Sequence, residues 1–302
     1  MLCELGNVLN DNKQSLANRF RALFALRNDG SDKAVDFIAD TLKTDQSALL
    51  KHECCFCLGQ MQNEYAFDCL VKVLKNVDEH PMVRHEAAEA LGAIGSPACM
   101  KIVQQFCDDN VVEVAQTCQL AVERINWLNK NEKEEKSIYN TVDPTPAAPL
   151  LPVVTLKEML ISQESSLYDK YRAMFALRNN ATDEAVVALG EALVAYKDDP
   201  LNALLKHEIA FVLGQIQSPV SVKYLKTLLS DLRENEMVRH ECAEALGSIA
   251  NDEANVILDN FKKDEVDVVR ESVEIALDMA EYENSDSQFL FLDDLVKNEK
   301  SK

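Results

Sequence analysis

Four of the chain's five histidines stand directly before a glutamate, in "KHECCF" from Lys51, "RHEAAE" from Arg84, "KHEIAF" from Lys206 and "RHECAE" from Arg239. Imidazole and carboxylate together make a donor set for divalent metals of the first transition row. Adjacent residues on a helix point about 100° apart, so a His and the next Glu flank a point in front of the helix. Equivalent helices of neighbouring units pack about 8 to 10 Å apart, which lets two inward imidazoles share an ion at about 2.0 to 2.2 Å. His52 and His85 are therefore expected at one ion with Glu86, and His207 and His240 at a second with Glu241. Two histidines and one carboxylate per ion form the facial triad typical of non-haem Fe(II), which leaves positions for dioxygen or solvent. Glu53 and Glu208 complete the four pairs as further ligands or as acids facing a substrate. The same donors suit zinc and manganese, so the residues alone leave the metal open.

Other chemistries lack their residues. A zincin needs HExxH, but the fourth residue after each histidine is Phe56, Glu89, Phe211 or Glu244. The Glu-x-x-His pair of ferritin-like dimetal bundles does not involve these histidines. No Gly-rich phosphate loop occurs, and Gly59, Gly92, Gly214 and Gly247 fall inside helices as close-packing positions. His80, the fifth histidine, corresponds to Asn235 in the other half and receives no role. Glu89 and Glu244 are expected to pair with bases on the helix surface, and Lys51, Arg84, Lys206 and Arg239 to balance the carboxylates.

The elements that must position these residues are visible as internal repeats. "RFRALFALRN" at 19–28 returns as "KYRAMFALRN" at 170–179, and "MVRHEAAEALGAI" at 82–94 as "MVRHECAEALGSI" at 237–249. The offset grows from 151 to 155 residues, which places a four-residue insertion near "AYKDDP". Smaller units align at Phe20, His52, His85 and Gln116, then at Tyr171, His207, His240 and Glu271, in steps of 31 to 36 residues. Each unit pairs an apolar helix such as "AFDCLVKVLKN" with a second, "VRHEAAEALGAIG", whose Ala87, Ala90, Leu91 and Ile94 keep helical spacing. The expectation is an all-α superhelical stack of helical hairpins in two pseudo-symmetric halves of four units each. The outer units carry Phe20-Arg21, Gln116-Thr117, Tyr171-Arg172 and Glu271-Ser272 where the central units carry His-Glu. The repeat does without the pairs, which points to a site rather than to packing.

Residues 1–128 are read as the N-terminal half and 155–302 as the C-terminal half with an acidic tail. Residues 129–154, with four of the eight prolines, are read as an exposed, partly extended linker. Its length lets the halves face each other. The tail beyond Glu281 is expected to fray, with "FLFLDDLV" able to dock as a short helix.

A hydrophobic content of 47 % with 27 % charged residues and only eight glycines fits a soluble helical protein. No apolar run approaches the roughly 20 residues of a membrane span, and the start lacks the features of a signal peptide, so a cytoplasmic, monomeric chain is expected. Nine cysteines without a framework are expected as thiols; "CCFC" (Cys54, Cys55, Cys57) has no second pair at zinc-ribbon distance. The net charge of -20 argues against nucleic acid as a partner, because phosphates would be repelled. It suits a basic protein substrate, and equally serves solubility.

Four His-Glu pairs in the central units of a duplicated helical array resemble deoxyhypusine hydroxylase, a HEAT-repeat family, over essentially the whole chain. The resemblance implies a dinuclear iron monooxygenase, with two Fe2+ ions, dioxygen as co-substrate and an external reductant. Its implied substrate is the deoxyhypusine side chain of a translation initiation factor, which becomes hypusine. Carried over by motif, the ligands are His52, His85, Glu86, His207, His240 and Glu241, and Glu53 and Glu208 are catalytic and substrate-binding carboxylates. Two other classes use the same features: a non-catalytic HEAT scaffold binding a partner on its concave face, and a dizinc hydrolase activating water.

Overall fold

The computed structural model describes residues 1–130 and 138–284. Its first half contains α1 (Leu2–Asn10), α2 (Leu16–Asp29), α3 (Asp32–Thr44), α4 (Ala48–Met61), α5 (Phe67–Lys75), α6 (Pro81–Ile94), α7 (Pro97–Val103) and α8 (Val112–Asn129). The second contains α9 (Val153–Ile161), α10 (Leu167–Asn180), α11 (Asp183–Ala195), α12 (Ala203–Ile216), α13 (Val222–Leu229), α14 (Glu236–Ile249), α15 (Asp252–Asp259) and α16 (Asp267–Glu283). No strand occurs among the described residues. Side-chain caps start many of these helices: Ser15, Ser31, Ser47, Ser96, Ser166 and Thr182 each accept a bond from the amide three residues on, supplying one of the helix's unpaired donors.

Odd-numbered helices form an outer layer, and the even-numbered ones stack side by side as an inner layer. Small residues set the inner spacing. A Cβ on Gly59 would lie 2.8 Å from Ala90 Cα, and one on Gly247 only 2.5 Å from Ala276 Cα. Helices this close bring any inward side chains of consecutive units together. The apolar positions read from the sequence, Ala87, Ala90 and Leu91, are fully buried, with Ile94 at the edge.

The bases before the histidines have a different task from the one expected. Lys51 clasps Glu79 at 2.6 Å and Lys206 clasps Glu234 at 2.7 Å; Arg84 clasps Asp109 at 2.7 Å and Arg239 clasps Asp264 at 2.5 Å. Arg19 does the same with Asp45. Each base turns away from the glutamates of its own motif and ties its helix to the loop that opens the next unit's inner helix. The Arg84 guanidinium holds the Asp109 carboxyl below its usual range. A depressed folded-state pKa contributes stability above the unfolded value, about 3.9, and that stability is lost as pH falls through the folded value. Asp109→Asn is thus expected to lower the thermal midpoint at pH 7, with the gap to the parent closing below pH about 4; a gap that stays constant on acidification would rule out the ion pair as its source.

The stack closes on itself. At one junction α8 packs on α10 and α12, and at the other α16 packs on α2 and α4. Polar contacts seal both: Arg21 with Asp278 (2.5 and 2.6 Å) and Ser47 with Glu271 (2.7 Å) at the second, Gln116 with the Leu201 carbonyl (3.1 Å) and Asn235 with Glu113 (3.2 Å) at the first. The two halves therefore face each other. The segment between them is less exposed than its composition suggests: Asp143, Pro144, Thr145 and Ala148 are buried, because Asp143 is drawn inward by Arg178. "FLFLDDLV", at 289–296, lies outside the described residues. No described helix is long and apolar enough to cross a membrane.

Candidate metal centre

Each of His52, His85, His207 and His240 is the fifth residue of its inner helix, α4, α6, α12 or α14. Equal height and a closed stack bring all four imidazoles to the centre. Ring centroids are 5.6 Å apart for His52 and His85 and 5.3 Å for His207 and His240 within the halves. Across the halves they are 5.2 Å for His52 and His240, 5.5 Å for His85 and His207, and 5.8 Å for His52 and His207. Distances alone do not divide the rings into two pairs. The carboxylates follow the halves more closely: Glu86 Oε2 lies 3.3 Å from His52 Nε2, and Glu241 Oε2 lies 3.4 Å from His207 Nε2.

Three donor groups have all their ligand atoms within 4.8 Å of one another: His207, His240 and Glu241; His52, His85 and His207; and His85, Glu86 and Glu89. Glu53 and Glu208 are both buried beside the centre, with Glu53 4.0 Å from its neighbour's Nδ1. The electrostatics favour cations. Burial pushes His52 and His207 down to about 4 and His85 and His240 well below their usual value, so all four rings are neutral donors at pH 7. Burial, joined by neighbouring carboxylates, lifts Glu53, Glu208 and Glu241 well above the carboxylate range and Glu86 to about 8. Both ring nitrogens of His52, His85 and His207, and Nε2 of His240, are buried without a hydrogen-bond partner. Orphaned polar atoms of this kind are costly, and divalent cations would satisfy lone pairs and carboxylates together.

Glu89 and Glu244 belong to this interior rather than to the helix surface. One turn after each histidine they lie on the same helix face; Glu244 accepts from Ser272 at 3.1 Å and lies 3.6 Å from His240 Nδ1, and Glu89 faces Glu86 with Arg124 for countercharge. Ser272, 3.4 Å from His240 Nδ1, occupies the glutamate's position of the repeat in the next unit, which the sequence comparison treats as outside the site. His80 caps α6, accepting from the Met82 amide, and sits 3.0 Å from Glu236 across the junction of the halves. The thiols of Cys54, Cys55 and Cys57 are packed in the apolar core.

A cleft of about 660 Å³ reaches the centre from one side. Glu53, Glu241 and Glu244 lie at its inner end, Phe24, Phe56 and Phe211 form its walls, and Arg21 and Asp278 lie along it. Phe56 and Phe211 meet edge to face at 5.9 Å. An apolar throat with an acidic end fits a long aliphatic cation.

Eight stacked hairpins around buried histidines and carboxylates define a HEAT-repeat protein with a donor set suited to metal; residues 35–123 and 191–278 match the HEAT repeats. The chain is 49 % identical to the deoxyhypusine hydroxylase of Danio rerio, over 98 % of this chain and 96 % of that one. It is 48 % identical to that of Homo sapiens, over 92 % and 91 %. The solved structure of human deoxyhypusine hydroxylase in complex with glycerol superposes with a TM-score of 0.88 at 47 % identity, covering 93 % of this chain and 96 % of that one. The chain belongs to the deoxyhypusine hydroxylase family, and so to the hydroxylating enzymes.

Proposed function

We propose that this chain hydroxylates the deoxyhypusine side chain of a translation initiation factor, as a cytoplasmic monomer, at a dinuclear iron centre. The observation that carries the reading is the convergence of all four His-Glu pairs on one buried centre, which an apolar cleft reaches at Glu53 and Glu241. His52, His85 and Glu86 would hold one ion, and His207, His240 and Glu241 the other. Two ferrous ions bound there would supply the reduction of dioxygen that inserts one oxygen atom into an aliphatic C–H bond. The balance is one C–H bond, one dioxygen, two electrons from an external reductant and two protons in; one alcohol and one water out.

The protein's own residues bind and orient. Deoxyhypusine is a lysine extended by an aminobutyl arm, with two amines that are cationic near neutral pH. Glu53, at the inner end of the cleft with a buried, unpartnered Oε2, takes one amine as a charge-assisted partner. Glu208, its counterpart in the other half, is buried beside the centre but does not line the cleft, so it stands second to Glu53 as a partner for the amines. The phenylalanine walls enclose the methylenes and exclude water from the reacting carbon. The buried carboxylates draw the basic side chain inward and reject neutral ones.

Metal analysis of the purified chain, joined to turnover of a deoxyhypusine-bearing factor, tests this. Two irons per chain and hydroxylation that requires both dioxygen and reductant are expected. Full activity with zinc, or without dioxygen, would replace the reading with a hydrolytic one, and a metal-free chain with undiminished partner binding would leave a scaffold.

A further inference from the structure

The pseudo-twofold relation of the halves should generate two clefts, one on each side of the histidines. The open one has its outer wall on α2 and α16, at Ala17, Arg21, Asp278, Met279 and Tyr282, with Thr141 of the segment between the halves at its edge. Their counterparts in the sequence repeat are Tyr168, Arg172, Glu123, Arg124 and Trp127, on α10 and α8. Four of these five line only a recess of about 380 Å³, which contains none of the residues of the metal centre. The fifth, Arg124, is fully buried.

What fills the rest is the chain itself. The Val142 amide donates to Gln60 Oε1 at 2.8 Å and the Val142 carbonyl accepts from Gln60 Nε2 at 3.2 Å, as one strand pairs with another. Asp143 receives the Arg178 guanidinium on both oxygens, at 2.8 and 2.6 Å, and its carbonyl accepts from Arg124. Arg178 also lies 5.0 Å from the centre of the Tyr139 ring. Thr145 is fully buried, and the Ala148 amide donates to the Arg172 carbonyl at 2.8 Å. On the open side the equivalent of Arg178 is Arg27, which bonds Asn28 and has no carboxylate clasp among the described residues. Met279 stands there in place of Arg124.

We infer that residues 139–148 are an intramolecular plug, fastened by Asp143 to Arg178 and Arg124, which seals the second cleft so that the metal centre is served through one mouth. This rests on the functional reading above only for the nature of the ligand. A buried bidentate Arg-carboxylate pair with a second arginine on the adjoining carbonyl is a fixed structural clasp, and it is absent where the cleft is open.

Two measurements on the full, metal-loaded chain test it. With a synthetic peptide bearing N-(4-aminobutyl)lysine as the probe, Ala25→Trp in the open wall should weaken binding about tenfold or more. Ala176→Trp, at the matching position behind the plug, should leave it within about twofold. Asn28→Trp and Asn179→Trp repeat the comparison at exposed rim positions; because Asn179 accepts from Arg178, amide exchange over 141–148 is read on Asn179→Trp to show that the plug is still seated. Blocking by the α10 variants, or by neither pair, would overturn the single mouth. Independently of any ligand, backbone amides of 141–148 should exchange slowly in the parent and markedly faster in Asp143→Ala; free exchange in the parent would overturn the plug. Absence of peptide binding by the parent, with those amides still protected, would count against the substrate and leave the plug standing.

Discussion

His85→Ala is expected to abolish turnover and remove about one of two metals per chain while leaving helical content intact. The loss of rate should be on the order of a thousandfold or more, as when one member of a group acting as a unit is removed. His85 is fully buried, belongs to two of the three donor groups, and has both ring nitrogens unpartnered by protein. Its removal costs the fold little, because the inner helices of the outer units carry Phe20, Gln116, Tyr171 or Glu271 at the same position and still form. Metal quantification, circular dichroism and activity on one preparation separate the outcomes. Loss of helix would return the histidine to a packing role, and full metal content with full activity would remove it from the site.

Glu53→Gln should act on substrate rather than on metal. Removing one partner of a desolvated charge pair costs about 2 to 5 kcal/mol, or roughly 30-fold to several thousandfold in affinity. The effect should fall mainly on KM, with iron content unchanged, and Glu53→Asp should recover part of it. A variant that loses iron while KM holds would make Glu53 a ligand.

Much of the architecture was legible because repetition supplies its own control. Units with and without His-Glu share an apolar pattern, so the pairs are legible as something other than packing. Gly59 and Gly247 also carried their meaning openly, since a glycine inside a helix without a turn signal marks a close approach. The inward turn of Glu89 and Glu244 was available from their place one helical turn after the histidines, but surface pairing is the commoner fate of such glutamates. The clasps of Lys51 and Arg84 were also available: Glu79 recurs as Glu234 and Asp109 as Asp264, at the same distance from their bases in both halves. The plug was not. Proline and charge mark residues 129–154 as irregular, and nothing local tells that Asp143 finds an arginine 35 residues on. A loop's burial is decided by its partner's position in space, which composition does not record.

The junction of α16 with α2 and α4 also makes the centre depend on both ends of the chain. The Arg21 to Asp278 clasp joins residues 257 apart in sequence, so forming it closes a loop that includes both halves. His52 and His85 belong to the first half of the chain and His207 and His240 to the second, so neither half encloses the centre alone. A chain truncated before α16 would keep all four His-Glu pairs and lose the contacts with α2 and α4 that close the stack around them.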